Sequence, residues 1–307
     1  MIVQDNACDW GGGAGVYCHG SSPTIEGVII RDNASQDVGG GLYCKGNSAP
    51  TLRNVLINGN TAAINQFGGG GIACWNSSPV LYNVTISGNS SSIGGGLSII
   101  HLLGYGEQFV GSNPVLVNTI LWGNSPDEVN NSAPADSGSI TISYSDVQGG
   151  LDSIGLPNGG AITWGDGNID VDPMFVDTNN GDYTLQMDSP LIDAGHPDST
   201  DADGTRADMG AYYYDQFGQP TRVLDLISTP SASTIGLAWS ANSASSSYNI
   251  YRSTDAETDF YTAVPFITTS DTALSDSSVS ADNTYYYRIG AVDSDGNEGL
   301  LAFKEHG

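Results

Sequence analysis

Along the first half of the chain, apolar and polar residues alternate over runs of three or four positions and then break. In Leu42-Tyr43-Cys44-Lys45 the alternation sets Leu42 and Cys44 on one side of a strand and Tyr43 and Lys45 on the other. Thr51-Leu52-Arg53 reads as a second short strand with Leu52 inward, and Val55-Leu56-Ile57 as a third with Val55 and Ile57 inward. Gly, Asn, Ser and Pro separate these runs and mark turns. The pattern recurs. Gly39-Gly40-Gly41 opens one copy, Gly13-Ala14-Gly15 the copy before it, Gly69-Gly70-Gly71 the copy after it, and Gly94-Gly95-Gly96 a degenerate fourth. The cysteine position returns after 26 and then 30 residues, at Cys18, Cys44 and Cys74. Three short strands in each such interval fit one coil of a parallel β-helix, in which coils stack about 4.8 Å apart. Val16, Leu42, Ile72 and Leu97 then form one inward ladder, and Ile25, Leu52, Leu81 and Leu116 another. No coil buries its apolar face alone, so the stack is the folding unit.

Asparagines recur with the strands. Asn54, Asn83 and Asn118 precede the third strand of their coils, and Asn33, Asn60, Asn89 and Asn124 follow it. Stacked amides hydrogen-bond to one another and to turn backbone, so both sets read as structural. The glycine triplets are expected to supply turn conformations with positive φ. Asp5-Asn6 aligns with Asp32-Asn33, so the chain is expected to open within a repeat of something longer.

These repeats resemble the right-handed parallel β-helix superfamily, which includes pectate-lyase-like enzymes and many bacterial surface proteins. The stretches from Gly167 to Asp177, Gly181 to Leu185, Ser189 to Gly195 and Asp203 to Tyr212 resemble the ends of such helices in secreted bacterial proteins with variable C-terminal anchoring or sorting regions. The resemblance implies an extracellular location, secreted or on a bacterial surface. It implies little about activity, because one scaffold hosts many functions.

From Gln219 onward the pattern changes. Leu237-Ala238-Trp239, Tyr248-Asn249-Ile250-Tyr251-Arg252 and Thr284 to Val292 alternate as longer strands. An early-strand Trp and a late Tyr-x-Tyr-x-Ile-x-Ala strand resemble a fibronectin type III sandwich, with Trp239 in its core and Tyr285 at a tyrosine corner. The expected architecture is all-β: residues 1–217 a right-handed parallel β-helix with an irregular C-terminal region, and 218–307 a fibronectin type III-like β-sandwich.

Charge narrows the partners. Eight Lys and Arg face 34 Asp and Glu, a net charge of -26, which argues against nucleic acid or an anionic membrane as partner. Ten of the acids precede residue 151 and 24 follow it. No apolar run is long enough for a membrane span. The four cysteines match no zinc spacing. Stacking of coils makes a Cys18–Cys44 bridge geometrically possible, against the alternative of buried thiols acting as small hydrophobes.

Candidate chemistry lies on the outward side of the first strands. Tyr17, Tyr43, Ala73 and Ser98 form one outward row, and His19, Lys45, Trp75 and His101 the next. Aromatic rings beside a cation and an imidazole suit a sugar chain, so Tyr17, His19, Tyr43, Lys45, Arg53 and Trp75 are the candidate substrate-binding residues. The bland alternative is a solvated face whose rings cover the sheet. Polysaccharide lyases of similar fold work on such lateral sheets, where Lys45 or His19 would take the base role and Arg53 would neutralise a uronate. No diagnostic catalytic motif supports that transfer, and whether the chain is an enzyme stays open. Glu26 and Asp32 make a poor glycosidase pair, and no serine has a nucleophile elbow. Asp201, Asp203, Thr205 and Asp208 offer hard oxygens suited to calcium, though Asp-rich turns are also common without metal. The expected function is non-catalytic binding of polysaccharide or a cell-surface component. A lyase acting on an acidic glycan is the alternative, and a structural, adhesin or filament subunit with end-to-end self-association the third.

Overall fold

A computed structural model of the chain describes residues 1–63, 68–100, 111–134, 137–231, 233–242, 244–280, 283–302 and 305–306. The described residues are nearly all strand and turn, with two short 3-10 turns and no α-helix, and none is part of a helix long and apolar enough to cross a membrane. The chain divides into two compact units, residues 1–199 with 206–214 and residues 200–205 with 215–307. The sequence pattern places the boundary after residue 217.

The first unit is the solenoid. Val16–His19, Leu42–Lys45, Ile72–Trp75, Leu97–Ile99 and Val129–Asn131 pair in parallel as a five-stranded sheet. A ten-stranded parallel sheet forms the second side, and a short ladder of Ala7–Cys8, Ala34–Ser35 and Thr61–Ala62 closes the coils. Both expected inward ladders are present. Val16 pairs with Leu42, Ile72 and Leu97 in turn, and Ile25 with Leu52, Leu81 and Leu116. Leu42, Leu52, Ile72, Leu81, Leu97 and Leu116 are fully buried in one continuous core. At about 25 cal/mol per Å² of apolar surface removed from water, this ladder of aliphatics dominates the unit's stability.

Two local features differ from the sequence reading. In two coils the second and third strands run on as one, Thr51–Asn58 and Val80–Ser87, bent where Asn54 and Asn83 adopt φ of 52°, while Thr24–Glu26 and Ile29–Arg31, and Val115–Val117 and Ile120–Trp122, stay separate. Asn tolerates this left-handed region better than most residues, so a single residue turns the corner. In the triplets at 39, 69 and 94 only the first glycine has positive φ. The third is dictated by space: a Cβ at Gly41 or Gly71 would stand 2.6 Å from the carbonyl oxygen of a glycine one coil on.

The other asparagine ladder is buried and continuous. Asn33, Asn60 and Asn89 each give their backbone N–H and their Nδ2 to the Oδ1 of the next asparagine, at 2.9–3.1 Å. Asn6 joins it from the first coil through Asn33 Oδ1. Each Oδ1 therefore satisfies two donors that burial would otherwise leave unpaired.

Beyond the last coil the chain doubles back. Phe175–Asp177 and Asp182–Leu185 form an antiparallel hairpin, and this hairpin, with residues 206–214, makes a strap against the outer face of the ten-stranded sheet. Tyr183, Ala211, Phe175 and Tyr212 pack on Ile29 and Leu56. Gly210 N donates to Asn118 O, Ala211 N to Thr85 Oγ1, and His196 N to Asn118 Oδ1. Leu191, Ile192, Ala207 and Met209, which follow the hairpin, are buried.

The second unit is a β-sandwich. Three antiparallel strands, Ile227–Pro230, Ile235–Ala238 and Ala273–Asp276, form one sheet, and four form the other around Ser247–Ser253 and Tyr286–Val292. Trp239 is buried among Leu237, Tyr248, Ile250 and Ile289, with its ring edge-to-face on Tyr248. Ser280 N donates to the Tyr285 hydroxyl at 3.1 Å, the backbone tether expected of a tyrosine corner.

Candidate functional site

The outward rows of the five-stranded sheet have the expected register. Tyr17 pairs with Tyr43 and then Ala73 and Ser98, and His19 with Lys45 and then Trp75. Their exposure is not what alternation suggests. Tyr43 and Trp75 are buried, at 3% and 8% exposure, in a second apolar cluster with Val38, Ala73 and Ile100. Val38 and Ile100 pack on these rings, so both serve as packing rather than as open binding surface. His101 lies outside the described residues.

What stays open is a lip on the first two coils. Tyr17 is 48% exposed, and His19 is exposed beside it. The Tyr17 ring stacks on Tyr43 at 5.3 Å and on His19 at 5.8 Å between centroids. Lys45 is half-buried, with Nζ 4.2 Å from the Trp75 ring centroid. The buried rings thus hold the exposed ones in place, and a cation–π contact fixes the ammonium. Arg53 does not join this group: it sits in the ten-stranded sheet, with its guanidinium 4.5 Å from the Tyr82 ring.

Cys18, Cys44 and Cys74 stack in register as free thiols, and Cys8 is free as well. The neighbouring Cys44 side chain and burial hold the Cys18 thiol far above the usual range, so it carries no nucleophilic thiolate at neutral pH.

The acids proposed for calcium act as turn acceptors. Asp203 Oδ1 accepts from Thr205 N and Oγ1, and its Oδ2 from Gln216 N. The Thr205 carbonyl accepts from Asp201 N. Asp208, in the other unit, accepts from Asp193 N and Tyr214 N, both at 2.7 Å. Among the described residues, no group of three or more His, Cys, Asp or Glu side chains is placed to hold a metal ion.

Two acids that sequence reasoning passed over are buried. Glu128 ends the asparagine ladder, and burial pushes its carboxyl up to about 7. Asp146 is fully buried beside Ile120, and burial pushes it up to about 8, with the Asp170, Asp172 and Glu128 charges adding to the shift and a bond from Val171 N opposing it. A second overlooked feature is Trp122, which pairs with Ser87, itself paired with Asn58. The signal in the sequence is an aromatic at a position where the four coils before it carry polar residues, Gln4, Arg31, Asn58 and Ser87.

Residues 1–91 match the family described as the right handed beta helix region. No curated protein matches the chain. Among solved structures, the chain is similar to an Fn3-like protein from Clostridium thermocellum at 27% identity and a TM-score of 0.26, covering 29% of this chain and 92% of that one. It is also similar to the spore cortex lytic enzyme SleM of Clostridium perfringens at 12% identity and a TM-score of 0.23, covering 66% of this chain and 68% of that one. Coils, ladders and the match over residues 1–91 agree that the first unit is a right-handed β-helix.

Proposed function

We propose that the chain is an extracellular or cell-surface β-helix protein that binds polysaccharide without cleaving it, through the lip of Tyr17, His19 and Lys45. The observation that carries this reading is an exposed aromatic ring pre-stacked on a buried one, with an imidazole and a fixed ammonium alongside. Flat rings take the apolar faces of sugars, and immobilised rings lose little entropy on binding. Lys45 favours an anionic sugar locally, while the net charge of -26 opposes it globally, so affinity is weak and salt-sensitive. The match to the β-helix family is in keeping with a polysaccharide-related or surface protein. A lyase is less well supported, because Arg53, the expected uronate neutraliser, stands in the other sheet.

The test is calorimetric titration of hexagalacturonate into the full chain and its variants. Tyr17→Ala should abolish most of the heat, and Lys45→Ala should weaken binding, both with unchanged melting. Undiminished binding by both variants, or no binding by the parent chain, removes the lip from the account.

A further inference from the structure

The strap does more than cover the sheet. Between its hairpin and the outer face of the solenoid lies a groove of about 550 Å³, within the range of small-ligand sites. Its floor is the Ser87–Trp122 step of the outward ladder, where Ser87 Oγ donates to Trp122 O at 2.7 Å. Its wall carries Phe175 and Tyr183, held edge-to-face at 5.1 Å between centroids. Trp122 and Phe175 are half-buried, while Asp172 and Gln186 are exposed at the rim. The aromatic surface is therefore fixed before any ligand arrives.

Two polar side chains at the rim of the groove bring acceptor oxygens. Asp172 takes Met174 N on Oδ1, and its other oxygen adds a second acceptor. Gln186 gives one Nε2 hydrogen to Phe175 O, which holds the amide in place with its Oε1 as a further acceptor. No Lys, Arg or His is among the lining residues. A site of fixed rings, with one carboxylate and no cation among its lining residues, suits a ligand with an apolar face and hydroxyl groups and without negative charge. We propose that this groove is a second glycan site, specific for uncharged hexose units stacked on Trp122 with hydroxyls donating to Asp172. It stands independently of the Tyr17 lip, whose cation points to the opposite charge preference.

The experiment titrates cellohexaose, chitohexaose and hexagalacturonate into the full chain by calorimetry. At least one neutral hexasaccharide should bind. Trp122→Ala should weaken that binding about tenfold and Asp172→Asn about threefold. Asp172 is exposed, so its variant reports even where the tryptophan variant fails to fold. Excess hexagalacturonate should leave the neutral sugar bound. The proposal is overturned if neither neutral sugar binds, if Asp172→Asn leaves neutral binding undiminished, or if hexagalacturonate displaces the neutral sugar.

Discussion

Asn124 hands both its backbone N–H and its side-chain amide to one carboxylate, that of Glu128, at 3.0 and 2.5 Å. In the coils before it, the same two donors meet the Oδ1 of the next asparagine. Glu128 therefore takes the place of the missing amide and terminates the ladder with two acceptor oxygens. It does so at 4% exposure, where a charge is poorly solvated.

That burial gives a pH dependence with a definite sign. The folded carboxyl titrates near 7 against 4.5 when unfolded, so between those values the folded state holds a proton that the unfolded state has released. Stability contributed by the protonated acid is complete below the unfolded value and lost as pH rises through the folded one. Asp146, pushed from 3.8 to about 8, acts in the same direction. Urea melts between pH 5 and 9 should show falling stability. Glu128→Gln keeps an acceptor for Asn124 and should recover on the order of 2 kcal/mol at pH 8. An unchanged slope in that variant would show that the carboxylate is solvated.

Asn60→Ala should cost about 2–5 kcal/mol, because it strips Asn33 of the acceptor for two buried donors and also takes the side-chain donor from Asn89 Oδ1. Chemical denaturation measures it. A loss below about 0.5 kcal/mol would mean that neighbouring groups re-pair.

Stability should separate the covered from the open outward residues. Trp75→Ala is expected to cost about 3–5 kcal/mol and Leu52→Ala about 2–5 kcal/mol, since both are buried. Tyr17→Ala, at the exposed lip, should stay within about 1 kcal/mol. Equal melting of the Trp75 and Tyr17 variants would contradict the covered face.

Chelator should leave the melt unmoved. The oxygens of Asp203, the Thr205 carbonyl and Asp208 already accept backbone or hydroxyl protons, which accounts for these acids without an ion. A fall in melting temperature on chelation, absent in Asp203→Ala, would restore calcium to this loop.

The sequence by itself determined which residues share a side and a row. Pleating gives strict alternation, and stacked coils force equivalent positions into ladders, so Leu42 over Ile72, Tyr17 beside Tyr43 and Asn60 beneath Asn33 were all legible. The tertiary structure alone decided what each side faces. Alternation places Tyr43, Trp75 and Leu56 outward, yet Val38 and Ile100 close over the first two, and Tyr183 and Ala211 over the third. The Ala211 N–H reaches Thr85 from 126 residues away, a separation no local pattern encodes. An apolar residue at an outward position signals that something covers it; only long-range packing says what, and whether a groove is left between.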